Sequence, residues 1–302
     1  MGSSTSNLKG SPPPPLVRLG SSEAVADLLS SRAWQSLNSA SQGVKGGALA
    51  KLDLIAAAEL PSMNVISASR LRELGRFPAN REGEAVDARK VLRQPGAVVA
   101  LFSHRWLRPT EGLPDDESGS KVRALLEFAR WYELKYEGRA LHFWVDYCSI
   151  AWDNRALGIA ALPAYVAACN DIVIFSTADY FERAWCRLEL SIAYTFTFAG
   201  EVPWVINASL GDDDSVGSEH EIARSSMLLL DPAEGNLTVA SDRVHIESLL
   251  AVAHRSAAAV AWGGAPRRLV FAPGDGSDAG GRRGGAGAEE STYTSITAVA
   301  LS

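Results

Sequence analysis

One carboxylate sits where an apolar side chain belongs. Wound at 100° per residue, Trp185, Leu188, Ile192 and Phe196 make a single apolar stripe, and Glu189 falls inside it. A glutamate is rarely buried unless it is paired or functional, because taking an uncompensated charge out of water is costly. Two readings follow. The carboxylate can face a ligand, or it can be a structural group, neutralised by Arg105 or Arg183 or held by loop amides.

Other polar groups with chemical potential follow directly after apolar runs. Ser103-His104-Arg105-Trp106 breaks off the run Ala97–Phe102, Asp146 ends Leu141–Val145, and Ser176-Thr177-Ala178-Asp179-Tyr180 ends Asp171–Phe175. Further chemistries have thinner support. Cys148 or Cys186 could pair with His104 as a nucleophile and its base, although buried cysteines usually behave as small hydrophobes. The histidines and cysteines have no zinc spacing, so no metal is expected. There is no GxGxxG and no lysine-bearing phosphate loop. Asp212-Asp213-Asp214 reads as a solvated loop, since the glycine and glutamate of a calcium loop are missing.

These groups need a scaffold. The apolar runs at 97–102, 141–145, 171–175 and 202–206 alternate with helical patterns. Val122, Leu125, Leu126, Ala129 and Tyr132 form one stripe behind the cap candidates Ser118 and Ser120, and further helices are expected over Ile159–Cys169 and Ala184–Phe198. A last helix carries Ile246, Leu249, Leu250 and Ala253 on one side. Strands that are apolar throughout and alternate with amphipathic helices imply an α/β fold, a parallel sheet covered on both faces. The expected form is flavodoxin-like, with strand order 2-1-3-4-5. Leu228–Leu230 and Leu269–Phe271 are the candidates for the fifth strand. In that order the ligand crevice opens between the carboxyl ends of strands 1 and 3, where Ser103 and Ser176 fall.

The flanks read differently. Residues 1–20, with Pro12–Pro15, are expected to be disordered, residues 21–95 to form a helical extension, 96–262 the α/β domain, and 263–302 a Gly-rich, largely disordered tail. In the extension, Val25, Leu28 and Leu29 lie on one helical face. Met1 to Ser6 fits the N-myristoylation pattern, a marginal anchor by itself. A net charge of −6 without a basic stripe argues against nucleic-acid or anionic-membrane binding. Three scattered cysteines suit a reducing compartment, where the sequons at Asn207 and Asn236 carry no weight. With no run long enough to span a bilayer, a cytoplasmic location is expected.

The stretch from Cys169 to Tyr180, followed by Arg183-Ala184-Trp185-Cys186-Arg187-Leu188-Glu189-Leu190, resembles the pattern of Toll/interleukin receptor (TIR) domains: an apolar strand ending in serine, a tyrosine, then a helix opening W-C-x-x-E-L. Phe102-Ser103-His104 is similar to the family's first strand and loop, and Phe143–Asp146 to its second. The loop departs from the plant form Phe-Arg-Gly-Glu-Asp, with Asp115 or Asp116, behind a Pro/Gly-rich insertion, as the candidate to stand in for its acid. The resemblance, over about 97–198, implies a signalling protein that cleaves NAD+ at the nicotinamide–ribose bond, or else a non-catalytic module that self-associates or recruits other TIR domains. It implies Glu189 as the catalytic residue and NAD+ as substrate, with no resident cofactor. Ser103, His104, Arg105, Trp106, Asp146, Ser176 and Trp185 would line the site. A third reading is a nucleoside deoxyribosyltransferase-like enzyme, which shares the fold type and a site carboxylate.

Overall fold

A computed structural model of the chain describes residues 20–40, 47–196, 203–210, 216–224, 229–259, 261–262 and 265–266. The expected disordered segment 1–20, apart from Gly20, and most of the expected tail lie outside them, as do the myristoylation pattern and Leu269–Phe271.

Helices α1 (Gly20–Ser30), α2 (Arg32–Ala40) and α3 (Gly47–Ala57) lead into strand β1 (Asn64–Ser67), helix α4 (Ala68–Leu74), strand β2 (Val86–Asp87) and helix α5 (Ala88–Leu92). The α/β part follows with β3 (Ala97–Ser103), α6 (Ser120–Lys135), β4 (Ala140–Trp144) and α7 (Asp146–Ser149). Next come α8 (Arg155–Ala160), α9 (Leu162–Ala168), β5 (Asp171–Ser176), α10 (Ala184–Phe196), β6 (Trp204–Leu210), β7 (Val216–Arg224) and α11 (Arg243–Ala259). The helix expected over 159–169 is thus broken. Pro163 opens α9, where its missing N–H costs nothing.

The sheet order is β2-β1-β4-β3-β5-β6-β7. β4, β3, β5 and β6 are parallel, whereas β1, β2 and β7 pair antiparallel at the edges. This corrects the expected order 2-1-3-4-5. The four parallel strands do run 2-1-3-4, but β7 takes the fifth place as the return arm of a hairpin with β6. Such a short connection can only reverse the chain, since a parallel neighbour needs a long crossover. On the other side the extension lends β1 and β2 to the sheet, so it is not purely helical.

The alternation of side chains along a strand decides which face each residue serves. Val99 and Leu101 of β3, with Ile172 and Ile174 of β5, pack into a core shared with helices α1, α3, α9, α10 and α11. Val98, Ala100 and Phe102, with Val173 and Phe175, pack on the opposite face with Val122, Leu125, Phe128, Ala129 and Tyr132 of α6. All five of Val98 to Phe102 are at most 1% exposed, which is why the run is apolar without alternation. The same rule sends Ser103 to the α10 face and His104 to the α6 face. Among the described residues no helix is long and apolar enough to cross a membrane.

Candidate active site

The carboxyl ends of β3, β4 and β5 carry two polar clusters, one on each face of the sheet. On the α10 face, Ser103 Oγ lies 2.5 Å from Glu189 Oε2 and 2.6 Å from the Tyr180 hydroxyl. Ser103 and Tyr180 are buried, and Glu189 is half-buried in the second turn of α10. Burial pushes the Glu189 carboxyl up to about 8; the Ser103 hydrogen bond opposes the rise and the Asp146 charge adds to it. Neither arginine considered as a structural partner is its neutraliser. Arg105 pairs with Asp179, and Arg183 reaches the Thr238 hydroxyl.

Several contacts fix the start of α10 and with it Glu189. Ala184 N–H donates to Asn236 O at 3.0 Å, Asn236 N–H to Glu182 O at 2.6 Å, and the Arg187 guanidinium holds the carbonyls of Phe181 and Asp231. Gly235 permits this approach, since a Cβ there would stand 2.5 Å from Ala184 Cα.

On the α6 face, His104 stacks on Phe102 at 4.9 Å. Its Nε2 lies 3.3 Å from Asp146 Oδ1, a close electrostatic contact without the alignment of a hydrogen bond. Its Nδ1 faces Lys121 Nζ at 3.0 Å. Burial, with the Lys121 charge beside it, lowers the His104 pKa, so the imidazole is neutral near pH 7. Burial opposes ionisation of Asp146 as well. The approach of His104, the Trp106 indole N–H at 2.8 Å and the Tyr147 N–H at 2.6 Å outweigh it and hold the carboxyl below its ordinary range.

The residues expected to line one site thus divide at these strand ends: Ser103 and Glu189 meet on the α10 face, His104, Trp106 and Asp146 meet on the α6 face, and Arg105 pairs with Asp179. Ser176 closes β5, half-buried, two residues beyond Ile174, the register partner of Ser103. Trp185 turns elsewhere: its indole N–H donates at 2.9 Å to Asp242, on the turn that precedes α11. Asp115 and Asp116 act as caps. Asp115 accepts from the N–H groups of Lys121 and Val122, and Asp116 from that of Ser120, while Gly119 takes a left-handed conformation (φ 69°). The caps expected at Ser118 and Ser120 are thus carboxylates instead.

Neither Lys121 nor Tyr180 was among the expected site residues, although Tyr180 stands in the polar segment that ends β5. Lys121 had a readable signal, because with Leu125, Phe128 and Tyr132 it falls on the apolar stripe of α6, as Glu189 does on α10.

Fold and site define a class: an α/β protein with a half-buried carboxyl group at the carboxyl ends of its central parallel strands. Comparison of the chain with family models, curated proteins and solved structures finds no match.

Proposed function

We propose that this chain is a TIR-like signalling protein that cleaves NAD+ at the nicotinamide–ribose bond, with Glu189 as its catalytic carboxylate. The observation that carries this reading is the setting of Glu189. It is half-buried beside the ends of adjacent strands β3 and β5 and bonded to a neutral hydroxyl, with no cation bound to it among the described residues. The nicotinamide ring of NAD+ is a cation and leaves as a neutral molecule with the bonding electron pair, so no general acid is required. A single carboxylate is then enough to stabilise the oxocarbenium-like centre left on the ribose, where water adds and releases a proton. Ordinary glycosidases, whose leaving oxygen would depart as an anion unless protonated, need a second carboxyl group as general acid. A bound cationic ring would also favour the ionised form of Glu189, countering the burial that raises its pKa.

A second reading, a non-catalytic assembly module of the same class, is favoured by the contacts that the site residues already make with one another. Ser103 is occupied by Tyr180 and Glu189, Arg105 by Asp179, and His104 by Lys121. Purified protein incubated with NAD+ at low and high protein concentration separates the two. Nicotinamide release from the wild type, and a hundred- to thousandfold loss (roughly 2.7–4 kcal/mol) in a folded Glu189→Gln variant, is the expected result. Absence of release at every concentration sinks catalysis and leaves self-association, read by sedimentation, as the activity to pursue.

A further inference from the structure

We infer that Ser103 and Tyr180 act as one positioning device for Glu189, a chain of hydroxyls that orients its carboxyl group and supports its ionised form. This deepens the reading above, in which Ser103 had been expected to touch the ligand.

Three oxygens from three elements form a hydrogen-bonded chain: the Tyr180 hydroxyl from the turn before α10, Ser103 Oγ from the end of β3, and Glu189 Oε2 from α10, at 2.6 and 2.5 Å. Tyr180 is 0% exposed and Ser103 1%, so neither hydroxyl reaches a solute without rearrangement. Serine has one proton to donate. When Glu189 is ionised, Ser103 must donate to the carboxylate and can bond Tyr180 only by accepting from it. When Glu189 is protonated, the direction reverses and Tyr180 becomes the last acceptor. The chain therefore flips as a unit with each protonation change, and in the ionised state both hydroxyl dipoles point at the charge.

The charged and titratable groups around it supply no competing donor among the described residues. Asp146, from the end of β4, is an anion that disfavours the ionised form of Glu189. Cys186, on the preceding turn of α10, is held as the thiol mainly by burial, with Glu189 and Asp146 adding to that effect and Arg183 and Lys121 opposing it. The two hydroxyls are thus the hydrogen-bonded support of the carboxylate.

The test is the titration of Glu189 itself, followed by carbon NMR on chain labelled at glutamate, with its signal assigned by its loss in Glu189→Gln. The wild type is expected to titrate near 8. Ser103→Ala should move the midpoint up by about one to two pH units, the worth of one charge-assisted hydrogen bond. Tyr180→Phe, which keeps the ring against Phe181, should move it up by less. The double variant should move it no further than Ser103→Ala alone, because the phenol acts only through the serine. Ser103→Thr, which retains a hydroxyl, should restore the wild-type midpoint. A wild-type midpoint in Tyr180→Phe, or additive shifts in the double variant, would overturn the proposal. Tyr180→Phe against wild type decides it alone if the alanine variants do not fold. The titration needs no NAD+. Expected shifts without nicotinamide release would sink the catalytic reading and leave the hydroxyl chain standing, and turnover with an indifferent midpoint would do the reverse.

Discussion

Lys121 Nζ lies 3.0 Å from His104 Nδ1, with both side chains shut away from water. The other protons of the ammonium meet the carbonyl oxygens of Arg105 and Pro114, so its three donors have three acceptors. One buried cation thereby ties the loop after β3 to α6. Burial pulls Lys121 down to about 7, with the Asp115 and Asp146 charges opposing. Between that value and its ordinary 10.5 the unfolded chain binds the extra proton, so this group makes stability rise as pH rises through that window. Lys121→Met should abolish that slope. It should also cost about 2–4 kcal/mol near pH 7, because three buried acceptors lose their donor. Urea melts at pH 7 and pH 9 measure both effects, and a variant as stable as the wild type would show that the loop is not pinned here.

Glu189 has the opposite dependence. Its carboxyl is raised by burial from 4.5 to about 8, so between those values the folded chain holds a proton that the unfolded chain has released. The resulting stabilisation is fully present below about 4.5 and is lost as pH rises through 8. Glu189→Gln cannot titrate. Its melting temperature should fall less than that of the wild type between pH 5 and pH 9, and at pH 9 the variant should be the more stable of the two. Thermal melts across that range check this. Parallel curves would mean that Glu189 is ionised throughout.

How much of this could be read beforehand depended on length and on period. The four central strands are built on apolar runs that are largely buried, and they were legible as such. β1 and β2 span four and two residues, too short to show alternation, and β7 carries Glu219, His220 and Glu221 in its middle, which reads as polar loop. The sheet's edges, and hence its full order, were therefore lost. In the site, Glu189 announced itself by breaking the stripe of α10, whereas the direction taken by Trp185 depends on Asp242, more than fifty residues away. No local pattern encodes such a partner.

The caps of α6 give a more ordinary prediction. Asp115 accepts from two amides of the first turn with both carboxylate oxygens, at 2.9 Å each, and its charge sits at the positive end of a sixteen-residue helix. Asp115→Ala should cost about 1–2 kcal/mol. Asp115→Asn, which retains one acceptor, should cost less. Because α6 also carries Lys121, the alanine variant should loosen the loop at 104–114 as well, visible as faster amide exchange at Leu107 and Arg108. Exchange rates equal to the wild type there would show that the cap serves the helix alone.

Asp146 offers a way to move Glu189 without touching its hydrogen bond. Asp146 is ionised even though burial opposes it, because the imidazole of His104, the Trp106 indole and the Tyr147 amide all favour the charged form. That negative charge is one of the influences that raise Glu189. Asp146→Asn keeps the shape, and the amide oxygen still accepts from the indole, but the charge is gone. The Glu189 midpoint should therefore fall by roughly half a pH unit to one, the contribution of a like charge across a partly solvated gap. Ser103→Ala acts in the opposite sense, since it withdraws a donor from the ionised form. If Glu189 is catalytic, the acid limb of the pH profile for nicotinamide release should shift with each midpoint, downward in the first variant and upward in the second. An Asp146→Asn midpoint that stays fixed or rises would mean that this charge does not reach Glu189, and that burial and the Ser103 hydrogen bond set the proton affinity of the site.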